Sequence, residues 1–320
     1  MEKLVSVIIP AYNAGKTIDR CLDSLLNQSL DSIEIIVIND CSKDDTYEHL
    51  KKYKDKIVLI NNRVNSGPAK SRNKGLKRAQ GKYVGFVDAD DYVAHNMYEE
   101  MVHAFDDDVD LVCCGRTNIT NDGFKEIINQ NETDDPHLFS KTSNYIWDKL
   151  FKKSIIDEYK IKFPEDYSYA EDFSFLIRYK FYAKKMKILK KTLYFYNDIS
   201  ENSITNSYKM NTLDIISVLE DTLDFFRDKE AFSKYEKELL DISVGFYVRR
   251  IREFKRYNDP VLQREFVYRF MVYFKKNFKR YRYRIATFSG KKFLFYRSFY
   301  CSMVVYIALQ RVRRMFNGSV

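Results

Sequence analysis

The chain is short of the residues that punctuate loops. Its 320 residues include 10 glycines and 5 prolines, too few for a loop-rich all-β protein. The 5 cysteines (Cys21, Cys41, Cys113, Cys114 and Cys301) are odd in number, scattered, and form no CxxC pair. That pattern offers no metal-site spacing and fits a reducing compartment. The 4 histidines (His49, His95, His103 and His137) form no cluster, so none is assigned a catalytic role. There is no GxGxxG and no GxxxxGK[ST], which weakens dinucleotide and P-loop readings. The opening MEKLVSVIIPAYN lacks the apolar core and small-residue cleavage site of a signal peptide, so a cytoplasmic protein is expected. The uncharged run 298–310 has 13 residues, too short for a bilayer span.

What is present is apolar, aromatic and unevenly charged. Hydrophobic residues make up 45%, enough for a sizeable core, and there are 25 Tyr and 24 Phe. The net charge of +9 hides a division. Residues 245–320 hold 19 basic and 3 acidic side chains, so the remaining 35 basic and 42 acidic residues give 1–244 a net of −7. This asymmetry predicts two functional parts.

The first 115 residues alternate in period. Strands are expected at 4–9, 33–38, 57–60, 83–87 and 109–114. Helices are expected at 15–28, 44–53, 68–79 and 96–105. Strands alternating with helices predict a mainly parallel sheet covered on both faces, with ligands at the carboxyl ends of the strands. Both NDCSKDD (39–45) and DADD (88–91) fall at such ends. Beyond 115 the pattern is less regular. Residues 169–183 read as a helix, 186–196 as two short strands, and the chain from about 208 as helical to the end. The best boundary is at 200–210.

Three acids in the four positions 88–91 admit two readings. Asp is common in turns and at helix N-caps. Asp88 and Asp90, separated by the small Ala89, could equally aim at one Mg²⁺ or Mn²⁺, which takes one or two carboxylates and fills its shell with substrate phosphates.

The segments VSVIIPAYN (5–13), IEIIVINDCSKDDT (33–46), NSGPAKSRNKGLKRAQGKYVGFVDADD (65–91) and AEDFSFLIR (170–178) occur in this order. Together they resemble the family 2 glycosyltransferases, GT-A-fold enzymes that use nucleotide-diphosphate sugars. The resemblance is strong over 3–115, fair to about 205, and silent beyond. It implies a GT-A catalytic domain at 1–205, with a nucleotide-sugar half (1–115) and an acceptor half (116–205). A basic, aromatic helical region follows at 206–320.

The resemblance also implies roles. Pro10 and Tyr12 would lie at the nucleotide base, where a ring face can stack on uracil. Asp40 would accept from the base N–H, which favours UDP over CDP. Arg72 would face the nucleotide with its planar fork of donors. Asp90, with Asp88, would hold the metal, Asp88 also reaching the ribose. Asp91 would cap the next helix or face the donor sugar. Asp172 would be the general base for the acceptor hydroxyl, with Glu171 in reserve. Trp147 in WDKLF could line the acceptor site or fill the core. The segment YFYNDISENSIT (194–205) lacks the Arg usual there, which leaves the contacts inferred from it in doubt.

The basic, aromatic C-terminal stretches 245–257, 264–284 and 291–316 could form an ordinary helical bundle with solvated charges. They could also lie on an anionic membrane surface, each basic residue contributing roughly 1 kcal/mol. Nucleic acid is not expected, since the catalytic half does not call for it.

The expected protein is an inverting, metal-dependent transferase. It would move a hexose or N-acetylhexosamine from a UDP-sugar to a hydroxyl of a surface glycan or lipid-linked oligosaccharide, at the inner face of the cell membrane. Self-association is compatible with the C-terminal region. The alternatives are a GDP- or dTDP-sugar transferase, and a non-catalytic nucleotide-sugar or glycan-binding scaffold.

Overall fold

The computed structural model describes residues 3–128, 134–139, 143–167, 169–199, 213–257 and 259–282. The expected boundary at 200–210 and the basic stretch 291–316 lie outside them. The chain forms two compact units, 1–242 and 243–320.

Four parallel strands open the first unit: β1 (Val5–Ala11), β2 (Ile33–Asn39), β3 (Val58–Asn61) and β4 (Tyr83–Phe86), in the order β3-β2-β1-β4. β1 and β2 are rich in Val and Ile because both of their faces are covered, while the edge strand β3 is only half-buried. Alternate side chains enter opposite cores. Val5, Val7 and Ile9 pack with Ile18, Leu22 and Leu25 of α1 (Ile18–Leu26), and with Met97 and Met101 of α4 (Met97–His103). Ile8, Ile36 and Ile38 face the other way, in a core shared with Ala69 of α3 (Gly67–Arg78). Each such fully buried aliphatic side chain contributes roughly 1.5–3 kcal/mol. Helix α3 approaches the sheet so closely that a Cβ on Gly75 would lie 2.4 Å from Cγ2 of Ile8. Substitution there would push the helix off the sheet. α2 (Thr46–Lys51) completes the first layer through Leu50.

The sheet continues as β8 (Lys149–Lys152), β6 (Leu111–Thr120), β9 (Met186–Asn197) and β5 (Tyr92–Val93), with β7 (Gly123–Ile127) paired to β6. β8 runs antiparallel between β4 and β6. β9 is one continuous strand, not the two short ones expected. Lys190 and Lys191 are exposed within the strand, and the irregularity lies in its register with β6, between Cys113 and Arg116. α5 (Lys153–Glu158) and α6 (Glu171–Tyr182) cover the Ile8 face, burying Ile155, Phe175 and Tyr179. α7 (Asp214–Asp228) follows.

The second unit contains the end of α8 (Phe232–Tyr257) and α9 (Pro260–Asn277). Tyr247 and Phe254 pack on Phe266, and the Ser243 and Tyr273 hydroxyls meet at 2.8 Å. α9 starts where its sequence says it should. Asp259 caps it by accepting from Val261 N and Leu262 N, and Pro260 occupies the first turn. No helix among the described residues is long and apolar enough to cross a membrane.

Candidate active site

The four parallel strands end together. Asp40 N donates to Ala11 O (2.8 Å), Asn62 N to Asn39 O (2.9 Å) and Val87 N to Ile8 O (3.1 Å), so Tyr12, Asp40, Asn62 and Asp88 leave the sheet along one edge. Three non-glycine residues with left-handed backbone flank this edge: Asn13 (φ 51°) beside Tyr12, Cys41 (φ 61°) beside Asp40, and Ala170 (φ 64°) before Glu171. At Cys41 and Ala170 this costs about 1–2 kcal/mol each, while Asn adopts the conformation more readily; Lys160 and Glu230, away from this edge, share it. Nothing in the sequence announces it.

On the nucleotide side, Pro10 is half-buried and the Tyr12 ring is 46% exposed, open to a planar ligand. Asp40 is different. It is buried, and its two oxygens already take four contacts. Oδ1 accepts from Asn62 Nδ2 (2.6 Å) and Ser66 N (2.9 Å), and Oδ2 from Ser66 N (3.0 Å) and Gly67 N (2.7 Å). The carboxylate expected to read the base thus holds the 62–67 loop and the N-terminus of α3, where the helix dipole also favours it.

The centre of the site is Arg72. Its guanidinium is buried, and its two Nη atoms are taken by three acids. Nη2 donates to Asp88 Oδ1 (2.9 Å), while Nη1 donates to Glu171 Oε1 (2.9 Å) and Asp172 Oδ1 (2.8 Å). Its Nε is buried without an acceptor. One side chain from α3 therefore gathers the acid after β4 and both acids at the start of α6, about a hundred positions away. Burial opposes its charge, but Asp172, Asp88 and Glu171 together raise its pKa. Asp172 keeps a quarter of its side-chain surface open (25%) and makes a single hydrogen bond, through Oδ1. Loss of hydration pushes its carboxyl up to about 8. Arg72 pulls the other way, and the Glu171 and Asp88 charges add to the rise.

The DADD turn is held from several sides. Thr17 Oγ1 donates to Ala89 O (2.9 Å) and Arg20 Nη2 to Asp90 O (3.0 Å). Asp88 and Asp90 are half-buried. Asp91, expected to cap a helix or face the donor sugar, is fully buried and turned toward β9, accepting from Tyr194 Oη (2.6 Å) and Asn197 N (2.7 Å). Trp147 is 3% exposed and stacks on Tyr145, Tyr194 and Tyr196, so it is a core residue behind the site and not a wall of it. Tyr194, Asn62 and Asn197 are the functional neighbours that the sequence reading missed. Tyr194 and Asn197 open the segment 194–205, compared with the family only for its missing Arg, and Asn62 lies in none of the quoted segments.

Asp88 and Asp90 supply the hard oxygen donors that Mg²⁺ or Mn²⁺ prefers. Among the described residues no three His, Cys, Asp or Glu side chains converge to hold an ion by themselves. An ion here would complete its shell with phosphate oxygens and water, as Mg²⁺ commonly does. The residues fit the cofactor on those terms.

A cleft of about 550 Å³ opens at the opposite edge of the sheet, lined by Lys82, Asp110, Lys152, Lys153 and Lys184 among others. Lys152 pairs with Asp110 (3.1 Å) and Lys153 with Asp157 (2.5 Å), so much of its charge is internally matched.

Residues 6–182 match the family model described as glycosyl transferase family 2. The putative glycosyltransferase EpsH of Bacillus subtilis (strain 168) is 32% identical over 251 residues, which cover 73% of this chain and 72% of the relative. The poly(ribitol-phosphate) beta-N-acetylglucosaminyltransferase TarS of Staphylococcus aureus (strain Mu50) is 28% identical over 222 residues. These cover 67% of this chain and 39% of the relative. A crystal structure of S. aureus TarS 1–349 in complex with UDP-GlcNAc superposes with a TM-score of 0.72 at 23% identity, covering 87% of this chain and 82% of that one. The likeness shows a shared fold.

Proposed function

The chain belongs to glycosyltransferase family 2, and from that membership we propose that it is an inverting transferase of UDP-sugars to a hydroxyl of a surface glycan or polyol-phosphate polymer. The observation that carries this is the Arg72 junction. It brings the donor-side acid Asp88 and the candidate base Asp172 within the span of one guanidinium. A single displacement needs that proximity. The acceptor oxygen attacks the anomeric carbon as the bond to the diphosphate breaks, the nucleotide leaves with the electron pair, and the acceptor proton passes to Asp172.

Each residue contributes a separable part. Tyr12 offers its exposed ring to the base. Asp40 shapes the 62–67 loop beside it, so the proposed preference for UDP is drawn from the sequence relative TarS, whose crystal structure holds UDP-GlcNAc, and not from a free Asp40 oxygen. Asp88 and Asp90 would hold a divalent cation, whose charge stabilises the diphosphate leaving group. Arg72 keeps the Asp172 carboxylate aimed.

A donor screen that reads released nucleotide with and without Mn²⁺ tests the reading. Mn²⁺-stimulated hydrolysis of a UDP-sugar, abolished in Asp90→Ala with an unchanged circular dichroism spectrum, is the expected result. Preference for GDP- or dTDP-sugars, or full activity in Asp90→Ala, would refute it.

The C-terminal unit supports a place at an anionic membrane. α9 exposes Val261, Tyr268 and Val272 on a surface shared with Arg264, Lys276 and the Arg269–Glu265 ion pair (2.6 Å). Apolar and aromatic side chains framed by cations suit the headgroup layer. Sedimentation of the full chain with anionic, but not neutral, vesicles is expected, and Val272→Glu should weaken it. Equal recovery with both vesicle types would end the idea.

A further inference from the structure

Tyr194 has no part in the chemistry above, yet its hydroxyl touches two of the four residues of the DADD turn. It donates to Asp91 Oδ2 (2.6 Å) and accepts from Asp88 N (3.2 Å). The two contacts lie at opposite ends of the turn, which a backbone bond from Asp91 N to Asp88 O (3.0 Å) already closes. Asp88 and Asp90 project from a turn pinned at both ends by one hydroxyl.

The pin is itself fixed. Tyr194 is fully buried, and its ring stacks on Trp147 at 4.4 Å between centroids, at an angle of 21°. Trp147 is backed by Tyr145 at 4.7 Å, and Arg116 lies over both of those rings. Next to Tyr194, Val93 and Tyr92 of β5 pair with β9, and Tyr92 stacks on Phe195 at 4.5 Å. A hydroxyl on a ring clamped this way has little freedom to follow the turn, so the turn must conform to the hydroxyl.

We propose that Tyr194, backed by Trp147, is a positioning residue that fixes the aim of the Asp88 and Asp90 carboxylates at the donor diphosphate. The inference rests on the transferase reading and adds a determinant of donor affinity in β9, directly beneath the turn.

The test is calorimetric binding of UDP in saturating Mn²⁺, with Tyr179→Phe as a matched control. The Tyr179 hydroxyl is just as buried, donates to Asp110 O (2.6 Å) and accepts from Lys152 N (2.9 Å), but it touches none of the site residues. A purely structural hydroxyl would lower Tm alike in both variants and leave UDP binding alone. We expect Tyr194→Phe, which removes both contacts of the hydroxyl to the turn, to weaken UDP about tenfold, and Tyr179→Phe to stay within about twofold of wild type. UDP binding by Tyr194→Phe within about twofold of wild type, or an equal loss in Tyr179→Phe, overturns the proposal. Should Tyr194→Phe fail to fold, Trp147→Phe removes part of the backing and keeps the hydroxyl. About threefold weaker UDP binding supports the assignment, and unchanged binding overturns it. A wild type that binds no UDP brings down the transferase reading and this inference together. A wild type that binds UDP no better than Tyr194→Phe brings down the inference alone.

Discussion

The nucleotide edge and the catalytic centre of this site treat the same residue type in opposite ways. Asp40 has every oxygen engaged by its own protein, through Asn62, Ser66 and Gly67. Asp172 has one contact, to Arg72, and a carboxyl pushed up to about 8 by burial. Asp91 sides with Asp40, and Asp88, which meets Arg72 through Oδ1 alone, sides with Asp172. An acid that satisfies backbone N–H groups builds a loop. An acid left short of hydrogen bonds is held ready for a substrate proton or a cation. The division separates scaffold from chemistry within one set of aspartates, and substitution can test it.

The largest effect should come from Asp172→Asn. The amide cannot take a proton, so kcat is expected to fall by about 10²–10⁴ while the donor KM changes little. Tm should hold, because the amide Oδ1 can still accept from Arg72 Nη1 and burial already opposes the charge that is lost. The pH profile supplies the companion measurement. Only the ionised carboxylate is a base, so kcat/KM of the wild type should rise about tenfold per pH unit and level off above about 8. Three charged groups face Asp172: Arg72 from α3, Asp88 from the end of β4, and Glu171 from α6. A flat profile from pH 6 to 9, or an Asp172→Asn variant that keeps its rate, would place the base elsewhere.

How far this division could be read in the sequence depends on what writes it. The parallel half was legible because Val and Ile runs mark the central strands directly; expected and observed ends of β1 to β4 agree within two residues, the widest gap being β1, which runs on through Pro10 to Ala11. β8 was not, because KLFK looks like a surface segment. Lys149 is in fact fully buried, matched by Asp148 at 2.7 Å and by Ser143, a pairing that no local pattern announces. The acids of the site were legible as acids. Their duties were not, because those depend on where backbone N–H groups of distant loops arrive. Arg72 illustrates the point: its type suited a phosphate or a base, and only the fold shows it joined to α6.

The smallest kinetic effect, and the sharpest test of the contrast, belongs to Asp40→Asn. One oxygen of the new amide can still accept, but its NH₂ must face a donor: Asn62 Nδ2, Ser66 N or Gly67 N. A buried donor turned against a donor costs about 1–3 kcal/mol. The loss should appear as a lower Tm and, through a loosened 62–67 loop, a higher KM for the donor, with kcat within about threefold of wild type, since no reacting atom has moved. The two Asp→Asn variants should therefore give crossed signatures, Asp172→Asn losing rate at constant stability and Asp40→Asn losing stability at nearly constant rate. An Asp40→Asn protein as stable as wild type but tenfold poorer in kcat would mean that its carboxylate leaves the loop when the donor arrives. The division would then be one between states of the same acid and not between different acids.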